Sequence, residues 1–180
     1  FIPFFKNLLK KNKVTNYKPW LLKCQLLKKN KPMINKSYFK DPIDLYYFMH
    51  KIDEITTDKN ILITDAGSNY YVGGQVWHFT KGQKELTSGT NAAMGLSIPL
   101  SIGAAIAEPS KQIFAVTGDG SLELNIQELK TISHYKLNIK LFVINNGGYV
   151  SMHKWQDNIG GRRIDTAKFT GDGTLNLKKI

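Results

Sequence analysis

The stretch QIFAVTGDGSLELNIQELKTISHYKLNIKLFVINNGG, residues 112–148, decides the fold. It contains two mostly apolar runs, 112–117 and 140–144, which are typical of buried strands. Apolar residues recur every three or four positions between them, which predicts a helix over 121–135. A strand, a helix and a second strand in this order form a crossover unit with parallel strands. We therefore expect the two strands to lie side by side and to end at the same edge of one sheet.

Other parts of the chain continue this alternation. A short apolar run at 61–63 predicts a further buried strand that ends at Asp65-Ala66-Gly67. Asp41 and Pro42 suit the N-cap and the first position of a helix, so we expect a helix to begin there. The other predicted helices cover 69–79, 91–107 with Pro99 inside it or at its start, and 149–157. The alternation predicts an α/β fold, a doubly wound and mostly parallel sheet with flanking helices, preceded by a short helical segment.

The first 40 residues differ in composition from the rest of the chain. The chain has 180 residues and a net charge of +11, but residues 1–40 carry eleven lysines and no acid, so the remainder is neutral. Helical apolar spacing predicts two amphipathic helices, at 2–12 and 17–29. We assign 1–40 to the Lys-rich helical tail of a preceding central domain or to a linker. We assign 41–180 to one domain, truncated at its C-terminus, and expect a fragment because the chain does not begin with Met.

Charge and composition argue against several classes of protein. Residues 1–40 contain no arginine, and the excess charge is confined to them, so we expect no nucleic-acid partner. The single cysteine, Cys24, cannot form an intrachain disulfide, which favours a reducing, cytoplasmic setting. Residues 86–107 carry no charge, but polar residues interrupt them. We therefore expect a buried helix there and no membrane span.

Glycine-flanked polar residues follow two of the predicted strands. Gly118-Asp119-Gly120-Ser121 comes directly after one strand, and Ser121 suits the N-cap of the helix that follows. Glycines allow a ligand to approach the backbone closely, and a helix N-terminus favours a phosphate. A carboxylate beside a phosphate requires a cation between them, and Mg²⁺ prefers oxygen ligands. Asn146-Gly147-Gly148, after the next strand, can supply further oxygens at the same edge.

The chain contains a second Gly-Asp-Gly that serves as a comparison. Residues 170–174, TGDGT, repeat the tetrad, but no apolar strand precedes them and no Asn pair follows. We interpret this second copy as a surface loop. The combination of strand, tetrad, helix, strand and Asn145-Asn146 makes the first copy specific.

This combination resembles the diphosphate-binding signature of thiamine diphosphate enzymes. The runs TDAGSNYY (64–71), LTSGTNAAMGLSIPLSIGAAIA (86–107) and VTGDGS through to NNGGYVSMHKWQ (116–156) are similar to the C-terminal cofactor domain of the acetolactate-synthase-like branch. The resemblance covers about 41–180 and implies the thiamine diphosphate-binding fold. It also implies a carboligase or decarboxylase, a transferase or lyase acting on 2-oxo acids.

The resemblance implies roles for individual residues. Asp119, the side chain of Asn146 and the backbone carbonyl of Gly148 would bind Mg²⁺. Met94 matches the bulky residue that bends the cofactor so that it deprotonates itself, and is the catalytic position. Trp155 and Gln156 would line the substrate channel. The residues implied to bind thiamine diphosphate are Gly67, Ser68, Asn69, Met94, Gly118, Asp119, Gly120, Ser121 and Asn146.

The remaining expectations concern the whole protein. The resemblance implies a 2-oxo acid such as pyruvate as substrate and FAD only in a central domain. It implies a homodimer, in which a second copy of the full-length chain supplies a pyrimidine-binding domain with an activating Glu, so that these 180 residues alone would be inactive. Ser151 and Gly160-Gly161-Arg162-Arg163 look more like homologues from polysaccharide-biosynthesis clusters than like synthases proper. The alternative is a non-catalytic domain that binds thiamine diphosphate or a nucleotide and lacks that Glu.

Overall fold

The computed structural model describes residues 2–11, 17–34, 42–80, 82–166 and 177. The chain divides into two compact units, Phe1–Ser37 and Tyr38–Ile180. The second Gly-Asp-Gly, at 170–174, lies outside the described residues, as does Asp41.

The first unit contains two helices, α1 (Ile2–Lys11) and α2 (Lys18–Asn30), close to the bounds predicted for them. Apolar side chains of α2, including Trp20 at 63% and Leu22 at 59%, are mostly exposed within this unit. The assignment of 1–40 to the tail of a preceding domain stays a prediction.

The second unit is built on a sheet of four parallel strands. These are β1 (Asn60–Thr64), β2 (Lys84–Thr87), β3 (Gln112–Gly118) and β4 (Ile139–Ile144). Their order across the sheet is β2-β1-β3-β4, and each neighbouring pair is parallel. The predicted pairing of β3 with β4 is therefore confirmed, with Gly118 opposite Ile144 at the carboxyl ends.

Helices cover both faces of this sheet. On one face, Ile61 of β1 and Ile113 of β3 belong to one buried cluster with Ala104. On the other face, the rings of Phe48 and Phe142 meet edge to face with centroids 5.4 Å apart. The two layers confirm the doubly wound α/β fold. The helices of this unit are α3 (Leu45–Ile55), α4 (Ser68–Val76), α5 (Ser97–Ala107), α6 (Asp119–Glu123), α7 (Leu129–His134) and α8 (Val150–Ile159).

Two helix starts differ from the prediction. Helix α3 begins at Leu45, so Pro42 is not its first residue. The cap is Asp44, whose Oδ1 accepts hydrogen bonds from the backbone N–H groups of Tyr46 at 2.8 Å and Tyr47 at 3.3 Å. Helix α5 begins only at Ser97, which places Pro99 in its first turn, where the missing N–H costs no helical hydrogen bond.

The helix predicted over 121–135 is interrupted. Helix α6 begins at Asp119 with Gly118 at the N-cap, so the prediction of Ser121 as the N-cap is wrong. A 3₁₀ turn, Ile126–Glu128, then precedes α7. The interruption lies where the Asn125 side chain donates a hydrogen bond to the carbonyl oxygen of Gly95 at 2.9 Å, a tertiary contact that the helical spacing does not encode.

No helix in the described part of the chain is both long enough and apolar enough to cross a membrane.

Candidate functional site

A cavity of about 210 Å³ opens where β1 and β3 end and α8 begins. Connections from β1 and β3 lead to opposite edges of the sheet, and ligands of doubly wound sheets bind at such a switch point. Ten residues predicted for the cofactor and the metal line this cavity: Gly67, Ser68, Asn69, Met94, Gly118, Asp119, Gly120, Ser121, Asn146 and Gly148. The structure thus brings these residues together, while their binding roles stay predictions. The lining also includes residues that the sequence did not single out for the site: Ala66, Tyr71, Ala92, Tyr149, Val150, Ser151 and Met152.

The carboxylate of Asp119 joins the two predicted strand ends. Asp119 is only 1% exposed. Its Oδ2 accepts hydrogen bonds from the backbone N–H groups of Gly147 at 2.8 Å and Gly148 at 3.1 Å, and its Oδ1 accepts one from Gly120 at 2.9 Å. Gly147 and Gly148 have φ values of 81° and 107°, which turn both N–H groups toward the carboxylate. Three donors, one in the first turn of α6 and two in the loop after β4, hold this carboxylate in one orientation.

The side-chain amide of Asn146 completes a cluster of polar atoms. One terminal atom of the amide lies 3.2 Å from Oδ1 of Asp119 and 2.9 Å from the carbonyl oxygen of Gly148. With nitrogen at this position, the amide donates a hydrogen bond to both oxygens. With oxygen there, three oxygens face one another, and a cation is required to offset their repulsion. The same side chain therefore suits the site both with and without an ion.

A metal ion in this cavity would depend on amide and carbonyl oxygens as well as on Asp119. Within the described ranges, no three side chains of His, Cys, Asp or Glu are grouped so that they could hold an ion. The cluster of Asp119, Asn146 and Gly148 instead offers one carboxylate, one amide and one backbone carbonyl. Oxygen ligands of these kinds are the ones that Mg²⁺ and Ca²⁺ bind.

Gly120 provides space for an aromatic ring beside this cluster. A Cβ atom at position 120 would lie 2.4 Å from Cε1 of Tyr149, far inside contact distance. The Tyr149 ring therefore lies directly against the backbone of the Gly-Asp-Gly turn. Only glycine fits at position 120 while the ring keeps this place.

Asn69 carries an unpaired polar atom at the cavity. Asn69 is 4% exposed, and its Oδ1 has no hydrogen-bond partner in the described part of the chain. Its Nδ2 would lie 3.7 Å from a Cβ atom at Gly118, so the amide is next to the end of β3. A buried polar atom without a partner costs about 1–3 kcal/mol, which a hydrogen bond to a ligand would offset.

The N-terminus of α4 also meets the cavity. Gly67 is its N-cap residue with a φ of 78°, and Ser68 is its first residue. Helix α4 has nine residues, and no side chain among the described residues caps its first N–H groups. These N–H groups and the partial positive charge of the helix end favour an anion.

Asp65, at the end of β1, has a structural role that the sequence reading did not assign. Its carboxylate is 0% exposed and accepts five hydrogen bonds. Oδ1 accepts from the backbone N–H groups of Ala66 at 2.8 Å and Gly95 at 2.9 Å. Oδ2 accepts from the N–H of Ser97 at 3.1 Å, the hydroxyl of Ser97 at 2.5 Å and the hydroxyl of Thr117 at 3.1 Å. Since all its acceptor positions are used within the protein, Asp65 is not available to a ligand.

Trp155 and Gln156, the predicted substrate-channel residues, are not among the residues that line the cavity. Gln156 instead holds residues of the segment after α8. Its Nε2 donates to the carbonyl oxygen of Ile164 at 3.0 Å, and its Oε1 accepts from the N–H of Ile164 at 3.1 Å and the hydroxyl of Thr166 at 2.8 Å. The Trp155 side chain is 57% exposed. Their place in a substrate channel stays a prediction.

Two further contacts fasten the same segment to α8. His153 is 7% exposed, and its Nε2 pairs with the carbonyl oxygen of Thr166, which also accepts from the N–H of Tyr149 at 3.1 Å. The guanidinium of Arg163 donates to both carboxylate oxygens of Asp157, and this hydrogen bonding lowers the pKa of Asp157 below its ordinary value. We call residues 149–166, joined in this way, the clasp.

The sequence of this chain is similar to a known family model and to several curated proteins. Residues 65–180 match the family model for the thiamine pyrophosphate enzyme C-terminal TPP binding domain, TPP being thiamine diphosphate. The chain is 36% identical over 135 residues to acetolactate synthase 2, chloroplastic, of Brassica napus, which covers 74% of this chain and 21% of the relative. It is 31% identical over 140 residues to the acetolactate synthase isozyme 1 large subunit of Escherichia coli K12, covering 78% of this chain and 25% of the relative.

A third relative extends the similarity toward the N-terminus. The acetolactate synthase large subunit of Lactococcus lactis is 30% identical over 173 residues, which is 94% of this chain and 30% of the relative. The chain therefore spans between about a fifth and a third of the length of these curated relatives.

Proposed function

Since the chain belongs to the thiamine pyrophosphate enzymes and carries the C-terminal TPP-binding domain of their acetolactate-synthase-like branch, we propose that its cavity binds the cofactor's diphosphate through Mg²⁺. In this proposal Asp119, the amide oxygen of Asn146 and the carbonyl of Gly148 hold the ion. The observation that carries the proposal is the meeting of these three groups at the ends of β3 and β4.

The spacing of the three groups supports an ion of the size of Mg²⁺. Oxygens about 2.1 Å from an octahedral ion lie about 3.0 Å from one another. The amide of Asn146 lies 3.2 Å from Oδ1 of Asp119 and 2.9 Å from the carbonyl oxygen of Gly148. That carbonyl also accepts a hydrogen bond from the N–H of Val150 at 3.0 Å, which leaves its second lone pair for the ion.

The diphosphate would lie between the ion and two sets of donors. The uncapped N–H groups at the start of α4, beside Gly67 and Ser68, form one set. The amide of Asn69 forms the other, because rotation by half a turn presents its NH₂ group in place of the unpaired oxygen. Gly118, Gly120 and Ser121 border the same space, and the two glycines allow close approach.

Met94 supports the organic part of the cofactor in this proposal. It lines the cavity and is 39% exposed, so a ligand in the cavity can contact its side chain. Thiamine diphosphate, when bound, supplies a carbanion and an electron sink for 2-oxo-acid chemistry. The contribution of this chain is to hold the diphosphate, to place Met94 against the rings and to exclude water from one side.

For the whole protein, we propose a carboligase or decarboxylase of the acetolactate synthase type. Pyruvate or a related 2-oxo acid would be the substrate, and a second copy of the full-length chain would complete the site with its pyrimidine-binding domain. The names of the relatives, all of them acetolactate synthases, support the proposed type of activity. Ser151 at the cavity, and the exposed Gly160–Arg163 segment, support a substrate other than that of the synthases proper, in polysaccharide biosynthesis. A cytoplasmic location completes the proposal, and any FAD would bind only in a central domain.

Isothermal titration calorimetry of the full-length protein tests this function. We expect thiamine diphosphate to bind in the presence of Mg²⁺ or Mn²⁺ and to lose most of its affinity with a chelator. Equal affinity with the chelator would contradict the metal bridge. Binding together with no turnover of any 2-oxo acid would favour the alternative, a domain that binds the cofactor without catalysis. Binding of a nucleotide in place of thiamine diphosphate would overturn the proposal.

A further inference from the structure

The loop that carries Met94 is fixed at one residue, Gly95. The N–H of Gly95 donates to Oδ1 of Asp65 at 2.9 Å, and its carbonyl oxygen accepts from Nδ2 of Asn125 at 2.9 Å. The two peptide groups that flank Gly95 are therefore held by side chains from two different parts of the fold. One is the end of β1, and the other is the interruption between α6 and α7.

Steric contact fixes the same residue from a third direction. Gly95 is buried with a φ of 76°, and a Cβ atom there would lie 2.7 Å from Cβ of Leu124 and 3.1 Å from the carbonyl oxygen of Ser121. The segment before it lacks such support, because Asn91, Ala92, Ala93 and Met94 are exposed. Gly95 is thus the point at which the exposed loop is attached to the body of the domain.

Asp65 is itself immobile. Four of its five donors, the N–H of Ala66, the N–H and hydroxyl of Ser97 and the hydroxyl of Thr117, come from β1's own end, from α5 and from β3. A fully buried carboxylate with all its acceptor positions filled has one orientation. Whatever it holds is therefore placed relative to the strand ends that carry the diphosphate site.

We propose that Asp65 and Asn125 are positioning residues that clamp Gly95 and so fix the position of Met94 relative to the diphosphate site. This inference rests on the proposed function, since it assigns the clamp to the part of the cavity that receives the cofactor rings. Neither residue touches the cofactor. Asp65 fixes the peptide between Met94 and Gly95, and Asn125 fixes the peptide that follows Gly95. Together they set the direction in which the Met94 side chain leaves the backbone.

Substitution of Asp65 and substitution of Asn125 are expected to disturb the fold to different extents. Asp65 has five donors to satisfy, so its loss disturbs the whole edge of the sheet. Asn125 is half-buried and makes one short side-chain hydrogen bond, to Gly95, besides a long one from Gln127 at 3.4 Å. Asn125 is therefore the residue at which the clamp can be opened while the rest of the fold stays intact.

The test uses the full-length protein with Asn125→Ala, which removes the donor, and the nearly isosteric Asn125→Asp, which replaces the donor with a charged acceptor. The matched control is Gln127→Ala on the same turn. In the cofactor-free protein, we expect amide hydrogen exchange of residues 92–96 to become about tenfold faster or more in both Asn125 variants and to stay unchanged in the control. In the loaded protein, we expect exchange of the cofactor's C2 proton to slow about tenfold, while its dissociation constant changes by less than about threefold.

The possible results distinguish a failure of the clamp proposal from a failure of the proposed function. Unchanged exchange of 92–96 in the Asn125 variants overturns the clamp whether or not a cofactor binds. A loss of cofactor affinity as large as the loss of C2 exchange also overturns it, because a merely structural role would produce that result. A wild-type protein that fails to bind thiamine diphosphate overturns the proposed function, and the assignment of the clamp with it.

Discussion

The side-chain amide of Asn146 ends 3.2 Å from Oδ1 of Asp119, although a helix and a strand separate the two residues in the chain. Parallel pairing of β3 with β4 produces this proximity, because Gly118 lies opposite Ile144 and the residues after them share one edge. Both side chains also contact the same glycine, Gly148, through its N–H or its carbonyl. The fold thus builds the candidate ion site from the start of α6 and the loop after β4, which hydrogen bonds fix to each other.

Replacing Asp119 tests the ion site. In Asp119→Asn the side chain keeps its shape but loses the charge, so we expect Mg²⁺-dependent binding of thiamine diphosphate to weaken by about 100-fold or more, measured by calorimetry. The matched control is Asp172→Asn, in the second Gly-Asp-Gly of the sequence. A loss at Asp172 equal to that at Asp119 would contradict the assignment of the ion site to Asp119.

Replacing Gly120 tests the contact with Tyr149. The added Cβ in Gly120→Ala would lie 2.4 Å from Cε1 of the Tyr149 ring, so the ring has to move. We expect a loss of about 1–3 kcal/mol in the free energy of unfolding, measured by urea denaturation, together with weaker cofactor binding. Gly103→Ala in α5 is the control, because its new Cβ meets nothing within 4 Å, and it should stabilise by about 0.5–1 kcal/mol. A Gly120→Ala variant as stable as Gly103→Ala would be incompatible with this packing.

Replacing Asp65 tests the buried carboxylate at the end of β1. Asp65→Asn turns an NH₂ group toward donors, so we expect the free energy of unfolding to fall by about 2–3 kcal/mol. Asp53→Asn provides a comparison, since Asp53 also accepts from a backbone N–H, that of His78, but its other side-chain partner is the exposed imidazole of His78. Its cost should not exceed about 1 kcal/mol. An Asp65 variant as stable as the wild type would mean that the five hydrogen bonds are not formed in solution.

Replacing Gln156 tests the clasp. Gln156→Leu removes three hydrogen bonds to Ile164 and Thr166, so we expect trypsin to cleave after Arg162 and Arg163 about tenfold faster or more. Trp155→Ala, at the adjacent exposed position, should leave that rate unchanged. If Trp155→Ala instead opened the segment while Gln156→Leu did not, the hydrogen bonds of Gln156 would not be what holds it.

Much of the sheet could be predicted from the sequence, because its central strands are buried on both faces and therefore read as continuous apolar runs. The sequence does not predict β2, because Lys84–Thr87 is a short edge strand that is only partly buried and forms no apolar run. The candidate ion site could also be predicted, since Asp119 and Asn146 directly follow neighbouring strands. Their meeting depends only on strand pairing, which the apolar pattern encodes.

The parts that could not be predicted depend on single tertiary contacts. The interruption of the 121–135 helix follows from Asn125 and the close approach of Gly95, and neither affects the helical spacing of apolar residues. The use of Gln156 within the clasp depends on a chain reversal after α8 that no residue spacing indicates. The Asp in Asp65-Ala66-Gly67 resembles any polar residue at a strand end until its five donors are known.

The metal bridge between Asp119 and the diphosphate is tested most directly by a crystal structure of the protein with thiamine diphosphate and Mn²⁺, with the ion located by its anomalous scattering. We predict one peak about 2.1–2.3 Å from a carboxylate oxygen of Asp119, the amide oxygen of Asn146 and the carbonyl oxygen of Gly148, with diphosphate oxygens completing the coordination. A cofactor bound in the cavity with no ion between it and Asp119, or an ion held elsewhere, would contradict this assignment.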